Sequence, residues 1–510
     1  MKILFEVTEL SFPYLINTCA LLKKKKIQTG LCYGKNNLSN LNNSIYNNFK
    51  NLNLPFFFYK NKKNYSKTKI DYKYLNYLEK KILKNKSIWY PISFDRSLGR
   101  GYLKDIIGYD SKYLENKDEI LINVINCAKN IERVLKKFKP NIFCWPTCVS
   151  NINAFLFYSF CKYYNIKFIT AVPTRFQNYF YFANDLFYSN PKIKKNYLLY
   201  NNKQIKSKIV DDLYKKISIE GNLSSDVILV RKNLNIAKSN ILRKIFNLIL
   251  FSIKHSILWL LLKFNYKNLT IVNHVSYPFF QPIFEQYKKL TSFVFLSKIK
   301  YINNLNIKYI YFPLHKTPEF STQIKGNKFM DQLYLIESLS KNLPVGYKLL
   351  IKEHPSMLDS QARTNNFYEI LMNFPNVEMV DFRLPGSEIV KKAQLVVILD
   401  GTSAVEAVIT GVPVLTMVPF VYDFLELSVE NFDITKLHLD LKKAILLKKK
   451  NFNKERKLRI KRLLKSILLC SHNMKNTDIF YYTAKEFNIN NFKDVAKDYS
   501  NALIKELKLK

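Results

Sequence analysis

The sequence has no Arg-Gly-rich run, no zinc-finger spacing and no aromatic RNP motif, the patterns that announce most nucleic-acid readers. Nucleic acid is therefore not expected as a partner, even at a formal net charge of +42. No Asp-x-Asp triplet occurs and the six histidines are dispersed, so no metal site is expected. The seven cysteines (Cys19, Cys32, Cys127, Cys144, Cys148, Cys161, Cys470) are an odd, scattered set, and Cys144 and Cys148 flank Trp-Pro-Thr instead of forming Cys-x-x-Cys. This argues against a disulfide framework and for a reduced, cytoplasmic compartment. The opening MKILFEVTEL places Glu6 and Glu9 where a signal peptide needs an unbroken apolar stretch. No internal repeat of fixed period is found.

What is present is material for packed interiors. Of 510 residues 48% are hydrophobic, with 34 Tyr and 38 Phe, well outside the composition of disordered chains. Single cores rarely grow past roughly 250–300 residues, so two domains plus connecting helices are expected. Lysine supplies nearly all of the charge excess. Such an excess suits an anionic membrane surface or a phosphate-bearing small molecule. Residues 245–264, IFNLILFSIKHSILWLLLKF, approach the ~20 residues that span a bilayer. Lys254 and His255 sit at the centre and basic residues flank both ends, which leaves three readings open: a buried helix, an interfacial helix, or a span.

Strand-like and helix-like runs alternate in two regions. KILFEV followed by YLINTCALLKKKK reads as strand then helix, and IFCWP, NINAFLFYSFCKYYN and IKFITAVP read as a βαβ unit, implying a parallel sheet. Residues 199–305 are largely helical and basic, with a strand-like LTIVNHV at 269–275. Close alternation returns over 306–430, a second doubly wound domain, and 431–510 is Lys- and Leu-rich at helical spacing. The expected fold class is α/β, with two Rossmann-like domains at 1–198 and 306–430, a helical linker at 199–305 and C-terminal helices at 431–510.

Three stretches carry candidate chemistry. In LLIKEHP an apolar strand runs into Lys352, Glu353, His354 and Pro355, and ligands of open α/β sheets bind beyond the carboxyl ends of strands. An imidazole there can hold a phosphate oxygen, or simply cap a loop. In LVVILDGTSAVEAVITGVPVL a strand, an Asp400-Gly401-Thr402-Ser403 turn and a helix follow one another. The helix N-terminus and the two hydroxyls form a phosphate cradle, or the hydroxyls cap their own helix, and Glu406 one turn on could accept a ribose or sugar hydroxyl. In YFPLHKTPEFSTQIKGNKFMDQ a strand yields to a loop with His315 and Glu319, which would face a bound ligand.

The order FPLHKTPEFST, MDQ, LPVGYKLLIKEHPS and GTSAVEAVITGVPVL resembles the C-terminal half of capsular polysaccharide and surface-carbohydrate biosynthesis proteins, whose members include Kdo transferases. The resemblance covers 309–423, with DRS at 95–97 and PTRF at 173–176 as weaker fragments. It implies a GT-B arrangement, two Rossmann-like domains facing a cleft, with an activated-sugar nucleotide held by the C-terminal one. By the same resemblance His354 and Pro355 would lie on the nucleotide phosphate, as would Thr402 and Ser403. Ser403-Ala404-Val405 departs from the Gly or aromatic residues common at that place and leaves the donor open.

On this reading the chain is a metal-independent glycosyltransferase. A CMP-linked acidic sugar is the favoured donor, the acceptor is a surface-polysaccharide or lipid-linked glycan, and an anionic inner-membrane surface is the site of work. No cofactor beyond the donor is implied. A general base would come from the N-terminal domain, with Glu9 and Asp95 as candidates, and Arg175 would help bind an acidic ligand. Rival readings are a CDP-alditol glycerophosphotransferase, a non-catalytic assembly or export factor, and a sugar-nucleotide epimerase.

Overall fold

A computed structural model describes residues 1–8, 11–34, 53–59, 69–95, 98–99, 102, 117–146, 151–174, 178–200, 205–220, 241–265, 281–354, 357, 362–419, 428–431, 433–449, 453–474 and 491–508. The chain divides into two compact units: one from 1–95, 115–201 and 465–510, the other from 96–114 and 202–464. Among the described residues each contains one sheet.

The first unit opens with β1 (Lys2–Val7), five of whose six residues are buried, as expected of an apolar run sandwiched on both faces. The chain then turns at Ser11, whose hydroxyl accepts from Thr8 N at 2.8 Å, and enters α1 (Phe12–Lys24). Pro13 suits the first turn of α1, where no N–H is needed, and Lys23 and Lys24 face the negative end of its dipole. β2 (Gln28–Tyr33), β3 (Phe56–Phe58), α2 (Lys117–Phe138), β4 (Ile142–Trp145), α3 (Ile152–Tyr163), β5 (Lys167–Pro173) and β6 (Tyr179–Ala183) follow. The sheet order is β3-β2-β1-β4-β5-β6, extended by a short strand at His472–Asn473.

The pairs from β3 to β5 are parallel, as the βαβ pattern predicts. The edge is not: β5 with β6, and β6 with His472–Asn473, are antiparallel. The reason is connection length. Thr174 N donates to Tyr179 O at 2.9 Å, so β5 returns as a hairpin, far too short for the crossover that a parallel neighbour needs. A C-terminal helix, Asn491–Glu506, lies on α1. It contributes Phe492, Val495, Tyr499 and Leu503 to the same core as Phe5, Tyr14 and Leu22.

The second unit contains β7 (Tyr309–Pro313), β8 (Lys348–Lys352), β9 (Val377–Val380), β10 (Leu395–Ile398), β11 (Val414–Thr416) and β12 (Ser428–Glu430), in the order β9-β8-β7-β10-β11-β12. All five pairings are parallel. This is the 3-2-1-4-5-6 order of a doubly wound sheet, whose direction of winding reverses between β7 and β10. Helices α4 (Ile241–Asn265) and α5 (Gln281–Lys298) precede it. Between and after the strands come α6 (Gln332–Asn342), α7 (Asn365–Met372), α8 (Gly386–Lys392), α9 (Thr402–Thr410) and α10 (Leu437–Lys449). Phe293 and Leu296 of α5 and Leu437 and Leu441 of α10 share a core with Ile310, Ile351 and Val397, so these helices are integral to the second unit. The expected strand at 269–275 lies outside the described residues. The protein thus has two Rossmann-like α/β units.

Candidate functional site

In the second unit the winding reversal puts a crevice site at the carboxyl ends of β7 and β10, with β8 beside them. β7 ends one residue before Leu314, and His315 follows with only 7% of its surface exposed. Its Nε2 lies 2.9 Å from Asp400 O, just beyond β10, so the ring bridges the two strand ends. Burial pushes its pKa down to about 4, only partly opposed by the Asp400 carbonyl and carboxylate, and the ring is neutral at neutral pH. Gln332 holds the loop from the other side, its Oε1 accepting from His315 N at 2.8 Å and its Nε2 donating to Thr317 Oγ1 at 2.9 Å. Asp400 in turn receives Lys325 Nζ on Oδ2 at 3.2 Å.

β8 delivers three charged or polar residues in a row with three different fates. Lys352 is 6% exposed, and burial pushes its ammonium down to about 8, against the pull of Glu353, Asp381 and Glu406. Glu353 is fully buried. Its carboxylate accepts from Arg363 Nη1 at 2.5 and 2.7 Å, from Tyr368 Oη at 2.6 Å and from His354 N at 2.6 Å. Arg363, also fully buried, reaches on with Nη2 to His315 O at 2.6 Å, and its guanidinium sits 5.1 Å from the Phe367 ring centre. The Glu353–Arg363 pair is thus a strut between the ends of β8 and β7. His354 remains half-buried, and withdrawal from water, then Lys352, Lys316, His315 and Arg363, push its imidazole down to about 3. The ring is neutral at neutral pH, so one of its nitrogens is a donor and the other an acceptor.

β10 feeds into α9 through Gly401, whose φ of 133° and ψ of −176° belong to a region that only glycine populates. Gly401 is the N-cap and has no side chain to offer, so no capping hydroxyl or carboxylate from that position satisfies the first N–H groups of α9. No acidic residue stands in its first turn. Gly411 closes the helix in the left-handed conformation at φ 76°. Glu406, half-buried on α9, is pushed up to about 7 by burial, with Lys352 acting against the shift. Burial thus shifts the two groups in opposite directions, Lys352 down and Glu406 up, while each one's charge opposes the shift of the other.

Of the residues singled out from sequence, His315, Lys352, His354, Gly401, Ser403 and Glu406 stand along this strand edge or on the helix that leaves it. Glu319 is half-buried, and its carbonyl accepts from Gln323 N at 2.9 Å, opening the turn at Ser321–Lys325. Thr402 begins α9, and its side chain lies outside the description, as do Pro355, Glu9 and Arg175. Asp95, in the first unit, is 8% exposed and its Oδ2 accepts from Ile152 N at 3.2 Å, at the start of α3. Glu353 was expected at the ligand edge and is instead turned inward, where Arg363 Nη1 and Tyr368 Oη make three short contacts to its carboxylate. Arg363, Tyr368, Gln332 and Lys325 are the residues that sequence reading missed. Among the described residues no cluster of His, Cys, Asp or Glu could hold a metal ion.

No protein-family model matches the chain, and no curated protein matches it. Solved structures that resemble it include the UDP-GlcNAc 2-epimerase of Methanocaldococcus jannaschii, 12% identical, covering 92% of this chain and 99% of that one at a TM-score of 0.23. The Thermosulfurimonas dismutans KpsC β-Kdo 2,7 transferase is 11% identical, covering 74% and 89% at 0.30. A glycosyltransferase from Rickettsia africae is 12% identical, covering 100% and 99% at 0.26. Likenesses this distant carry no argument about this chain, and the fold assignment rests on the strand orders described above.

Proposed function

We propose that the protein is a glycosyltransferase whose second unit binds a nucleotide sugar at the carboxyl edge of β7, β8 and β10. The favoured donor is a CMP-linked acidic sugar, and the acceptor is a glycan of a surface polysaccharide, free or lipid-linked, at an anionic membrane face. The observation that carries this reading is that one strand edge, at a winding reversal, carries a helix N-terminus whose N-cap is a glycine in a glycine-only turn, a buried lysine and a neutral histidine. Backbone N–H groups and the positive end of a helix dipole favour a phosphate, and they need no metal to do so.

In the proposed complex the α9 N–H groups, Thr402 and Ser403 hold the phosphate with His354, and Pro355 fixes the turn that presents it. Lys352 balances the charge that develops on the leaving phosphate. Glu406 accepts a ribose or sugar hydroxyl, and the loop carrying His315 and Glu319 lines the donor. Transfer also needs a general base that takes the acceptor hydroxyl's proton as the new glycosidic bond forms and the nucleotide leaves, and Glu9 and Asp95 are the candidates for that role.

The test is thermal-shift binding of CMP, CDP, UDP and GDP to the wild type and to His354→Ala, since a ligand that binds only the native state raises its melting temperature. Stabilisation by CMP that is lost in the variant is expected. Stabilisation by UDP or GDP alone replaces the donor, a preference for CDP favours alditol-phosphate transfer, and no response to any nucleotide overturns the proposal.

A further inference from the structure

Helix α4 turns an unusual face to water. Leu242, Phe246, Ile249, Ile253 and Ile257 are between 51% and 71% exposed. At 100° per residue they lie within about 80° of one another around the helix, a single stripe down four turns. Ile245 and Leu250, also exposed, widen it on either side. The opposite face is engaged: α4 packs on α5, and Lys244 lies over the Phe293 ring at 4.3 Å. Scattered apolar residues on a surface need no explanation, but an uninterrupted stripe does.

The border of the stripe says what covers it. Arg243 and Lys254, both exposed, stand along one edge, and residues 241–265 contain no Asp or Glu. A second copy of this chain would bring a net charge of +42, and its own Arg243 and Lys254, against the same charges. A neutral apolar protein surface gives the cations no partner. A bilayer with anionic headgroups satisfies both features, because the apolar face sinks to the acyl boundary while basic side chains stay among the phosphates. Among the described residues no helix is long and apolar enough to cross a membrane.

We infer that α4 is an interfacial membrane-docking helix, which holds the second unit against an anionic bilayer through its 242–257 stripe and its Arg243–Lys254 border. The inference stands on exposure and charge, independently of the nucleotide reading.

Flotation of the full chain with phosphatidylcholine vesicles, with and without phosphatidylglycerol, tests it. Wild type is expected to float with the anionic vesicles only, and to detach in high salt as the headgroup attraction is screened. Ile249→Glu/Ile253→Glu should lower the bound fraction more than tenfold, with an unchanged circular dichroism spectrum because both side chains are already in water. Arg243→Gln/Lys254→Gln leaves the stripe intact and should weaken anionic-vesicle binding about thirty-fold, from two basic residues at the surface. No flotation of wild type, or undiminished flotation of the Glu variant, overturns the inference. So does conversion of a wild-type dimer to a monomer by the Glu variant, since a second copy then covers the stripe, or retention of the protein in carbonate-washed membranes, since the helix then spans.

Discussion

Arg363→Met is the perturbation that interrogates the candidate site most directly without touching any proposed ligand contact. Arg363 and Glu353 are both fully buried, and the guanidinium makes two contacts to the carboxylate and one to His315 O. Methionine fills much of the volume but returns no donor. Glu353 then keeps Tyr368 Oη and His354 N, and His315 O loses a charged donor. Removing one partner of a buried ion pair costs about 3–5 kcal/mol, because the remaining charge is stranded away from water. In a domain of 150–250 residues each kcal/mol moves the melting temperature by roughly 2–4 °C, so a fall of about 6–20 °C is expected by differential scanning fluorimetry.

The double variant Glu353→Gln/Arg363→Met separates a stranded charge from a merely lost contact. Once the carboxylate is neutral there is nothing to strand, and the double variant should recover a large part of the loss; a coupling of about 2–3 kcal/mol between the two sites is expected. A single-variant loss below about 1 kcal/mol, or strictly additive losses, would refute the view that this pair braces β7 against β8. Glu353 would then be neutralised some other way, and the strut would be a geometric coincidence.

Two further predictions concern the same edge. Gly401→Ala should cost about 1–3 kcal/mol through backbone strain alone, since the added methyl meets only Ile398 Cδ1 at 3.9 Å, and it should weaken phosphate binding by tilting the first turn of α9; equal stability by chemical denaturation would contradict the turn geometry. Lys352 loses its proton as pH rises through about 8, so nucleotide affinity should fall by up to tenfold per pH unit above 8, while Lys352→Arg stays flat. The free protein should move the other way. A lysine whose folded pKa is lowered destabilises the fold while it is charged, and that penalty is released as pH climbs from about 8 towards 10.5; affinity and stability falling together would sink the assignment.

Much of the scaffold was legible because it is written in local pattern. Apolar runs of strand length at Lys2–Val7, Ile142–Trp145, Tyr309–Pro313, Lys348–Lys352 and Leu395–Ile398 became strands, and their alternation with helices dictated parallel pairing. Gly401 was legible for the same reason, since a glycine between a buried strand and a helix marks a turn. Arg363 was not, because its surroundings, SQARTNN, read as an ordinary polar loop, and its importance comes from partners 10 and 48 residues away. The antiparallel edge of the first sheet escaped as well: the hairpin after Pro173 is encoded by the shortness of a connection, and His472–Asn473 arrives from the far end of the sequence. Lys352 and Glu406 were visible as residues, but their displaced proton affinities belong to burial, which periodicity along one strand and one helix does not specify.

The interleaving of the two units has a consequence for biosynthesis. On the ribosome, β1 to β6 emerge early, yet the surface of α1 awaits Phe492, Tyr499 and Leu503, which are translated only after the whole second unit. The nascent first unit therefore carries an open apolar groove along α1, and a bare strand edge at β6, for the time needed to synthesise more than 260 intervening residues. During that interval it exposes apolar surface of the kind that chaperones bind, and a premature stop between residues 201 and 491 leaves α1 without its covering helix.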